Sequence, residues 1–419
     1  MGIKLRLTIM NFLQLFIWGA WLITISVYWF NTNQWSGETF GAVFATLGFS
    51  SIIMPPLTGI IADRWINAEK LYGILQILYG ISIYFVSRCS DAHSFYSWMF
   101  LAMLFYMPTI SLNNAISYYI LKNYTKYDVV KVFPNIRVWG TIGFILAMWV
   151  TNLSGNKGTP NQFIIASVAA IVLGLYSFTL PKCPPQNLTQ KNASVIDMLG
   201  LNAFKLFLQK KMALFFFFSM FLGAALQLTN MYGDTFLSDF GKDPRYANSF
   251  VIRYSTIIMS ISQISETLFI LTIPFFLKKF GIKNVMLISM LAWVLRFGLF
   301  AFGDPASGLW MIVLSCVVYG MAFDFFNISG SLFIETNTDY SIRSSAQGLF
   351  MMMTNGFGAV AGSYISGYLI QKYFILPGGN KDWHHIWLIF AGYALVVAVL
   401  FSVSFRYKHD NLVTENLQH

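Results

Sequence analysis

Charged residues are scarce in this sequence of 419 residues. Asp, Glu, Lys and Arg make up 11% of the chain, against about 25% in soluble domains, whereas hydrophobic residues make up 56%. This excludes an ordinary soluble enzyme or binding domain, because most side chains must face lipid or one another. The composition predicts an integral membrane protein.

Cysteine and the motifs of catalysis are also lacking. Cys89, Cys183 and Cys316 are too few and too far apart for a disulfide framework. There is no Gly-x-x-x-x-Gly-Lys-Ser/Thr stretch and no nucleophile beside a base, which disfavours ATP-driven transport and enzyme function. The adjacent His384 and His385 do not converge on a metal from one helix face. We expect no metal or other cofactor and, without a compact basic patch, no nucleic-acid partner despite the net charge of +10.

Long apolar runs are present instead. A window of about 20 apolar residues, the length of a membrane-spanning helix, finds twelve candidate spans. They are 9–30, 40–62, 71–87, 95–121, 134–153, 162–180, 212–238, 250–277, 284–302, 308–335, 345–372 and 385–406. We therefore expect an all-α integral membrane protein with twelve transmembrane helices in two six-helix halves.

One long polar segment separates these halves. Residues 181–211 have the Pro, Asn, Gln and Lys content of a linker. Within it, residues 195–208 carry apolar side chains at helical spacing, which predicts a helix lying along the membrane surface. The predicted organisation is a first half at 1–180, the linker at 181–211, a second half at 212–406 and a tail at 407–419.

The distribution of basic residues predicts the orientation of the chain. With both termini in the cytoplasm, eighteen of the 27 Lys and Arg residues lie in inner loops and tails and six in outer loops. Arg137, Arg253 and Arg296 lie within spans. Because positive residues favour the cytoplasmic side, we expect cytoplasmic termini.

Two carboxylates lie inside apolar runs. Asp324 is near the middle of the run 310–334, and Glu266 is inside 250–277. A charged side chain at the bilayer centre costs roughly 2.5 to 3.5 kcal/mol, so such residues mark ion or proton pathways. Burial disfavours the charged form of a carboxyl group, which permits reversible protonation near neutral pH. We expect Asp324, with Glu266, to carry or gate a proton; the alternative is a permanent ion pair with Arg137 or Arg296.

Further polar and aromatic residues share helix faces near the centres of their spans. The sets are Arg137, Thr141 and Phe144; Gln227 and Asn230; Gln263 and Glu266; and Tyr319, Phe323 and Asn327, beside Asp324. In a transporter of two repeated halves, the substrate site lies near the midplane between the halves. Amides donate and accept hydrogen bonds, and aromatic rings stack on a base with about 1 to 3 kcal/mol. The pattern fits a neutral ligand with an aromatic base and hydroxyls.

Each of these residues has a structural alternative. The amides of Gln227, Asn230 and Gln263 are also typical of hydrogen bonds between helices. The rings of Phe144 and Phe323 are also typical of packing. Arg137 is also suited to neutralising a buried acid, and Thr141 to bonding its own helix.

Several motifs resemble those of known transporters. The stretch GIIADR at 59–64 resembles the loop signature of the major facilitator superfamily, although Ile66 and Asn67 replace its usual Gly and basic residue. The stretches FPNIRVWGTIGF at 133–144, SQISE at 262–266, AFDFFNISGS at 322–331 and RSSAQG at 343–348 resemble the bacterial nucleoside:proton symporters. This resemblance covers essentially the whole chain.

The resemblance implies a function and places residues in it. It implies proton-coupled import of nucleosides such as uridine and adenosine across a bacterial inner membrane by alternating access, by a monomer. It puts substrate contacts at the sets named above and a gating latch at Asp63 and Arg64, and we expect Glu266 to bond the ribose as well. The alternative within the same class is a proton-coupled permease for sugars or other small neutral polar solutes. A membrane receptor that binds without moving its ligand is the alternative from another class.

Overall fold

The structure, a computed structural model, describes residues 2–126, 129–185, 201–339, 342–377 and 379–407. Helices make up nearly all of this part of the chain. The chain divides into two compact units, Met1–Leu199 and Gly200–His419. The boundary between them falls inside the segment 181–211.

The first unit contains six long helices. They are α1 (Ile3–Gly19), α2 (Gly37–Arg64), α3 (Ala68–Val86), α4 (Ala92–Tyr124), α5 (Val129–Leu153) and α6 (Asn161–Ser177). After α1, the predicted span 9–30 is interrupted at 20–24 and continues as a short helical turn, Ile25–Val27, and a π-helical turn, Tyr28–Thr32. Helix α1 packs against α5 and α6, while α3 packs against α4 and α6.

The second unit begins with a 3₁₀ helix, Leu201–Leu208. Its longer helices are α7 (Lys210–Asp239), α8 (Ser255–Ile270), α9 (Ile273–Phe302), α10 (Leu309–Asn337), α11 (Arg343–Met351), α12 (Ala359–Tyr373) and α13 (Trp383–Ser404). Gly281, with φ 73°, breaks α9 at the point where the predicted spans 250–277 and 284–302 are separated. A π-helical segment, Met352–Gly358, joins α11 to α12 and packs against α7.

Several of these helices can cross a membrane. Seven helices in the described part of the chain are long and apolar enough to do so: α2, α4, most of α5, α7, α9, α10 and α13. Two of the other predicted spans contain the shorter apolar helices α6 and α8. Of the predicted surface helix at 195–208, residues 195–200 lie outside the described residues and 201–208 form the 3₁₀ helix.

A buried polar network holds the first unit together. Gln14 on α1 accepts hydrogen bonds from the Tyr72 hydroxyl (2.6 Å) and the Gln76 amide (2.7 Å) on α3. Its own amide donates to the Thr109 hydroxyl on α4 at 2.9 Å. Hydrogen bonds satisfy these groups where water is excluded, so the network fixes α1 against α3 and α4.

The chain after α6 is anchored to the start of α3. The Glu69 carboxylate, which is buried, accepts hydrogen bonds from the Cys183 backbone N–H (2.8 Å) and from the Asn67 amide (3.1 Å). The backbone N–H of Ala68 donates to the Cys183 carbonyl at 3.0 Å. Burial and, to a lesser extent, the Glu69 charge raise the pKa of the Cys183 thiol to about 12. The anchor therefore keeps this thiol protonated and unreactive at neutral pH.

We expect Glu69→Ala to release this anchor. The change leaves the buried Cys183 N–H without its acceptor, which costs about 1 to 3 kcal/mol. Thermal unfolding followed with a thiol-reactive fluorophore should show Cys183 reacting at a temperature several degrees lower than in the wild type. Lys70→Ala, at the exposed neighbouring position, is the control and should leave the temperature unchanged. Equal curves for Glu69→Ala and the wild type would contradict the anchor.

Candidate functional site

The predicted site residues of the second unit lie on three helices that pack together. Helix α7 carries Gln227 and Asn230, α8 carries Gln263 and Glu266, and α10 carries Tyr319, Phe323, Asp324 and Asn327. The rings of Tyr319 and Phe323 stack at a centroid distance of 6.1 Å and an angle of 8°. Because Phe323 is half-buried, this ring pair offers an aromatic surface.

Two side-chain amides in this region each have an oxygen atom that accepts no hydrogen bond from the described residues. The side-chain oxygens of Gln227 and Gln263 are buried, and neither has a hydrogen-bond partner among the described residues. Amides that hold helices together would have such partners, and a buried polar group without one is unusual in a folded protein. The arrangement disfavours the helix-bonding alternative for these two oxygens and leaves both available to a ligand.

The two predicted proton-carrying groups interact with each other. Asp324 is 3% exposed, and its Oδ2 atom has no hydrogen-bond partner in the described structure. Glu266 is half-buried and interacts electrostatically with Asp324. Two carboxyl groups in such surroundings repel each other when both are charged, so they are suited to exchanging a proton.

Arg296 was one candidate partner for a permanent ion pair with these acids. In the described part of the chain, its guanidinium bonds the hydroxyls of Thr229 and Ser262 and the carbonyl of Ser315. It also lies over the rings of Tyr319 and Phe300. None of these described contacts is a carboxylate, so the ion pair with Arg296 is not present.

A glycine brings α8 and α10 close together beside Glu266. A Cβ atom at Gly320 would lie 2.6 Å from the Ser265 carbonyl carbon and 2.7 Å from the Glu266 backbone nitrogen. Contacts between real Cβ atoms and backbone are longer than this, so only glycine permits the approach. Gly320 therefore sets the position of Glu266 relative to Tyr319.

We expect Gly320→Ala to separate these helices and weaken substrate binding. Overpacking of this kind typically costs about 1 to 3 kcal/mol, and the displacement moves Glu266 away from α10. Binding of uridine, measured by calorimetry on purified protein, should weaken by about tenfold, equivalent to about 1.4 kcal/mol. Gly298→Ala on α9 is the control, because a Cβ atom there meets nothing within 4 Å. Equal affinities in the two variants would contradict this assignment.

The predicted site residues of the first unit lie on one face of α5. Arg137 and Thr141 are half-buried, and Phe144 is buried. Arg137 interacts electrostatically with Tyr106. A Cβ atom at Gly19 would lie 2.8 Å from the Phe144 Cα atom, so α1 touches the α5 backbone there. Phe144 is thus held by packing, and its predicted substrate contact remains a prediction.

The predicted gating residues, Asp63 and Arg64, are the last two residues of helix α2. Asp63 is exposed and Arg64 is half-buried, and Trp65 after them is exposed. Both gating residues therefore lie at a helix end, as a loop latch requires. The latch itself remains a prediction.

A buried acid that the sequence analysis missed lies on α7. Asp234 accepts hydrogen bonds from the hydroxyls of Ser255 (2.7 Å) and Thr256 (3.1 Å) at the start of α8. Asp234 lies inside the predicted span 212–238, so the rule that singled out Glu266 and Asp324 also identifies it. Its hydroxyl partners indicate that it joins α7 to α8.

A cavity of about 480 Å³ lies elsewhere in the second unit, at the ends of α7 and α9. Its buried Asp239 pairs with Lys242 (3.1 Å) and Lys381 (3.5 Å) and accepts a hydrogen bond from the Trp383 indole (3.0 Å). Burial lowers the pKa of Lys381, while Asp239 opposes this shift. No predicted site residue lines this cavity, and its ionic contacts join the 374–383 loop to α7.

The sequence predicts no metal site at the adjacent residues His384 and His385. The His385 ring pairs with Asp382 at 2.8 Å, and the His384 ring bonds the Ala301 carbonyl at 2.8 Å. No group of three or more His, Cys, Asp or Glu residues that could hold a metal is found within the described ranges.

Comparison with known proteins identifies a family of nucleoside transporters. The family model described as "Nucleoside H+ symporter" matches residues 1–410. The nucleoside permease NupG of Escherichia coli K12 is 50% identical over 415 residues, covering 99% of this chain and 98% of the relative. The xanthosine permease of the same organism is 49% identical over 413 residues, covering 98% and 97%.

The fold agrees with a solved structure. A crystal structure of the nucleoside transporter NupG superimposes with a TM-score of 0.90 at 50% identity, covering 97% of this chain and 100% of that chain. The expected all-α membrane transporter fold of the major facilitator superfamily is therefore confirmed.

Proposed function

The chain belongs to the nucleoside H⁺ symporter family, and we propose on that basis that it imports nucleosides together with protons by alternating access. It is a multi-pass membrane transporter and not an enzyme. The two relatives named above are a nucleoside permease and a xanthosine permease, and their sequences are 50% and 49% identical to this chain. Sequence identity therefore does not indicate which nucleobase this chain prefers. That preference depends on the residues of the substrate site.

The proposed function rests mainly on hydrogen-bond acceptors and aromatic rings of α7, α8 and α10 that a ligand can contact. The buried oxygens of Gln227 and Gln263 supply acceptors for the N–H groups of a base or the hydroxyls of ribose. The stacked rings of Tyr319 and Phe323 supply an aromatic surface. A nucleoside carries both features, whereas a plain sugar leaves the aromatic surface unused.

In this proposal the remaining residues have separate roles. Asn230 and Glu266 complete the hydrogen-bonding contacts, with Glu266 bonding the ribose. Arg137, Thr141 and Phe144 of the first unit are further substrate contacts. Asp324 and Glu266 carry the proton, and their electrostatic interaction supports this role. Asp63 and Arg64 form the latch.

The proposed setting is the bacterial inner membrane, with both termini in the cytoplasm. The excess of Lys and Arg in the predicted inner loops supports this orientation. The proposed partners are nucleosides, protons and the lipid bilayer, with no nucleic acid. The transporter is proposed to act as a monomer.

Uptake in cells tests the proposed function. Cells lacking their own nucleoside permeases should accumulate radiolabelled uridine and adenosine when they produce this protein. A protonophore should abolish the accumulation, and excess unlabelled sugar should not reduce it. Accumulation that sugar blocks would favour a sugar permease, and binding without accumulation would favour a receptor; either result would contradict the proposal.

A further inference from the structure

The π-helical segment Met352–Gly358, between α11 and α12, carries an amide that the proposed function does not use. Asn355 lies in this segment, near the middle of the predicted span 345–372. Its side chain is half-buried and makes no hydrogen bond within the described part of the chain. Turns of π-helix are rare and are frequently found at functional sites. Asn355 is thus an unpartnered amide in an unusual backbone segment near the centre of its span.

The amide of Asn355 is unsuited to contact with lipid. A polar group without a hydrogen bond is costly in hydrocarbon, because no water is present to replace the missing partner. Phe357, two residues later, is 40% exposed, and residues two apart point to nearly opposite sides of a helix. The ring of Phe357 therefore occupies an apolar exposed side of the segment, and Asn355 faces a space that water or a polar ligand can enter.

Close backbone contacts hold the π segment against the face of α7 that carries Gln227. A Cβ atom at Gly223 on α7 would lie 2.7 Å from the Thr354 Cα atom. One at Gly358 would lie 3.1 Å from the Gly223 Cα atom. Gly223 precedes Gln227 by one helical turn, and residues four apart share a helix face. Asn355 is thus adjacent to a residue that contacts α7 one turn from Gln227.

The π segment and α8 contact different sides of α7. Gly233 marks the α8 side, because a Cβ atom there would lie 2.5 Å from the Met259 Cε atom. The ten residues from Gly223 to Gly233, at about 100° each, place the two glycines about 80° apart around the helix axis. Glu266, the proposed ribose contact, lies on α8. Asn355 therefore approaches α7 from another side than the proposed ribose contact does.

We propose that Asn355 is a further substrate contact that bonds the edge of the nucleobase and so determines which nucleosides are preferred. This inference rests on the proposed function. A side-chain amide offers donors and an acceptor side by side, which matches the donors and acceptors along the edge of a base. Nucleosides differ at this edge, whereas they share the ribose. A site built to bond a particular donor or acceptor discriminates against ligands that lack it.

The test compares Asn355→Leu with a matched control, Thr354→Val. Leu has nearly the size of Asn but no amide. The Thr354 hydroxyl lies 3.0 Å from the Phe350 carbonyl and 3.2 Å from the Met351 carbonyl, both in the preceding turn. Its removal therefore takes a polar group from the same segment without taking a proposed ligand contact. Uptake into proteoliposomes is measured for uridine, cytidine, adenosine and inosine, and kcat/KM is determined for each.

We expect Asn355→Leu to reduce discrimination among these four nucleosides. The best substrate of the wild type should lose at least about tenfold in kcat/KM, equivalent to about 1.4 kcal/mol, because its base edge loses a partner. The poorest substrate should lose less than about threefold. The ratio of kcat/KM for uridine to that for 2′-deoxyuridine should stay unchanged, because these two differ only in the sugar. Thr354→Val should keep the wild-type pattern.

Three results would overturn the inference. Asn355→Leu keeps the wild-type kinetics, or it loses activity equally for all four nucleosides while remaining folded, or it changes the ratio of uridine to 2′-deoxyuridine instead. Asn355→Ala, which adds no bulk, should show the same reduced discrimination and decides the question if the Leu variant does not fold. A failure of the proposed function shows as absent nucleoside uptake by the wild type, whereas a failure of this inference shows only in the variants.

Discussion

Asp324→Asn should abolish proton-driven accumulation and spare nucleoside exchange. The Asp324 carboxyl is buried, its Oδ2 has no hydrogen-bond partner among the described residues, and it interacts with Glu266. Asn has nearly the same shape but cannot release a proton. The variant therefore resembles the protonated state permanently, which can bind and exchange substrate but cannot couple to the gradient.

The expected effect is large because the gradient is the only energy source available. One proton moving through 150 mV releases about 3.5 kcal/mol, since 100 mV is worth about 2.3 kcal/mol per charge. At about 1.4 kcal/mol per tenfold, this could concentrate a neutral nucleoside about 300-fold. We expect Asp324→Asn to reduce the ratio of internal to external uridine to about one.

Two assays on the same proteoliposomes measure this result. Accumulation is followed with labelled uridine under an imposed proton gradient, and counterflow is followed without one. Asp243→Asn is the matched control, because Asp243 is a surface acid outside the long helices that pairs with Arg245 at 2.6 Å, and such pairs contribute little. Persistent protonophore-sensitive accumulation by Asp324→Asn would contradict the role given to Asp324.

Phe323→Ala should weaken nucleoside binding far more than binding of a plain sugar. Phe323 is half-buried and stacks on Tyr319 at 6.1 Å. Stacking of a base on an aromatic side chain contributes about 1 to 3 kcal/mol, which corresponds to about a 5- to 150-fold loss of affinity. Ribose has no aromatic face, so its weak binding should change little.

Phe323→Leu separates stacking from packing. Leu keeps an apolar side chain but lacks the aromatic face, so both variants should lose affinity for uridine if the ring stacks on the base. If Phe323 serves only to pack α10, Leu should retain most of the affinity. Calorimetry with uridine and ribose gives both comparisons, and wild-type affinity in the Leu variant would contradict the stacking role.

The sequence predicts the helices well where the apolar runs are continuous. The predicted span 308–335 corresponds to α10, and 212–238 corresponds to α7. It does not predict the interruption after α1 or the π-helical segment Met352–Gly358. Such breaks depend on local backbone geometry and on packing against neighbours, as for the π segment against α7, and these have no signature in hydropathy.

The site is predictable as a set of helix faces but not as a set of contacts. Helical spacing places Gln263 and Glu266 on one face of α8 without showing that the Gln263 oxygen lacks a partner. The surroundings of Arg296 are likewise tertiary, because its partners come from three other helices. The sequence alone therefore allowed an ion pair with Arg296 that the described contacts of Arg296 do not include.

The most direct test of nucleoside:proton symport is the proton movement itself. Purified protein is reconstituted in liposomes containing a pH-sensitive dye, and uridine is added outside while the interior is electrically negative. The account predicts acidification of the interior on addition of uridine, abolished by a protonophore and absent in liposomes carrying Asp324→Asn. Entry of labelled uridine without any acidification would contradict it.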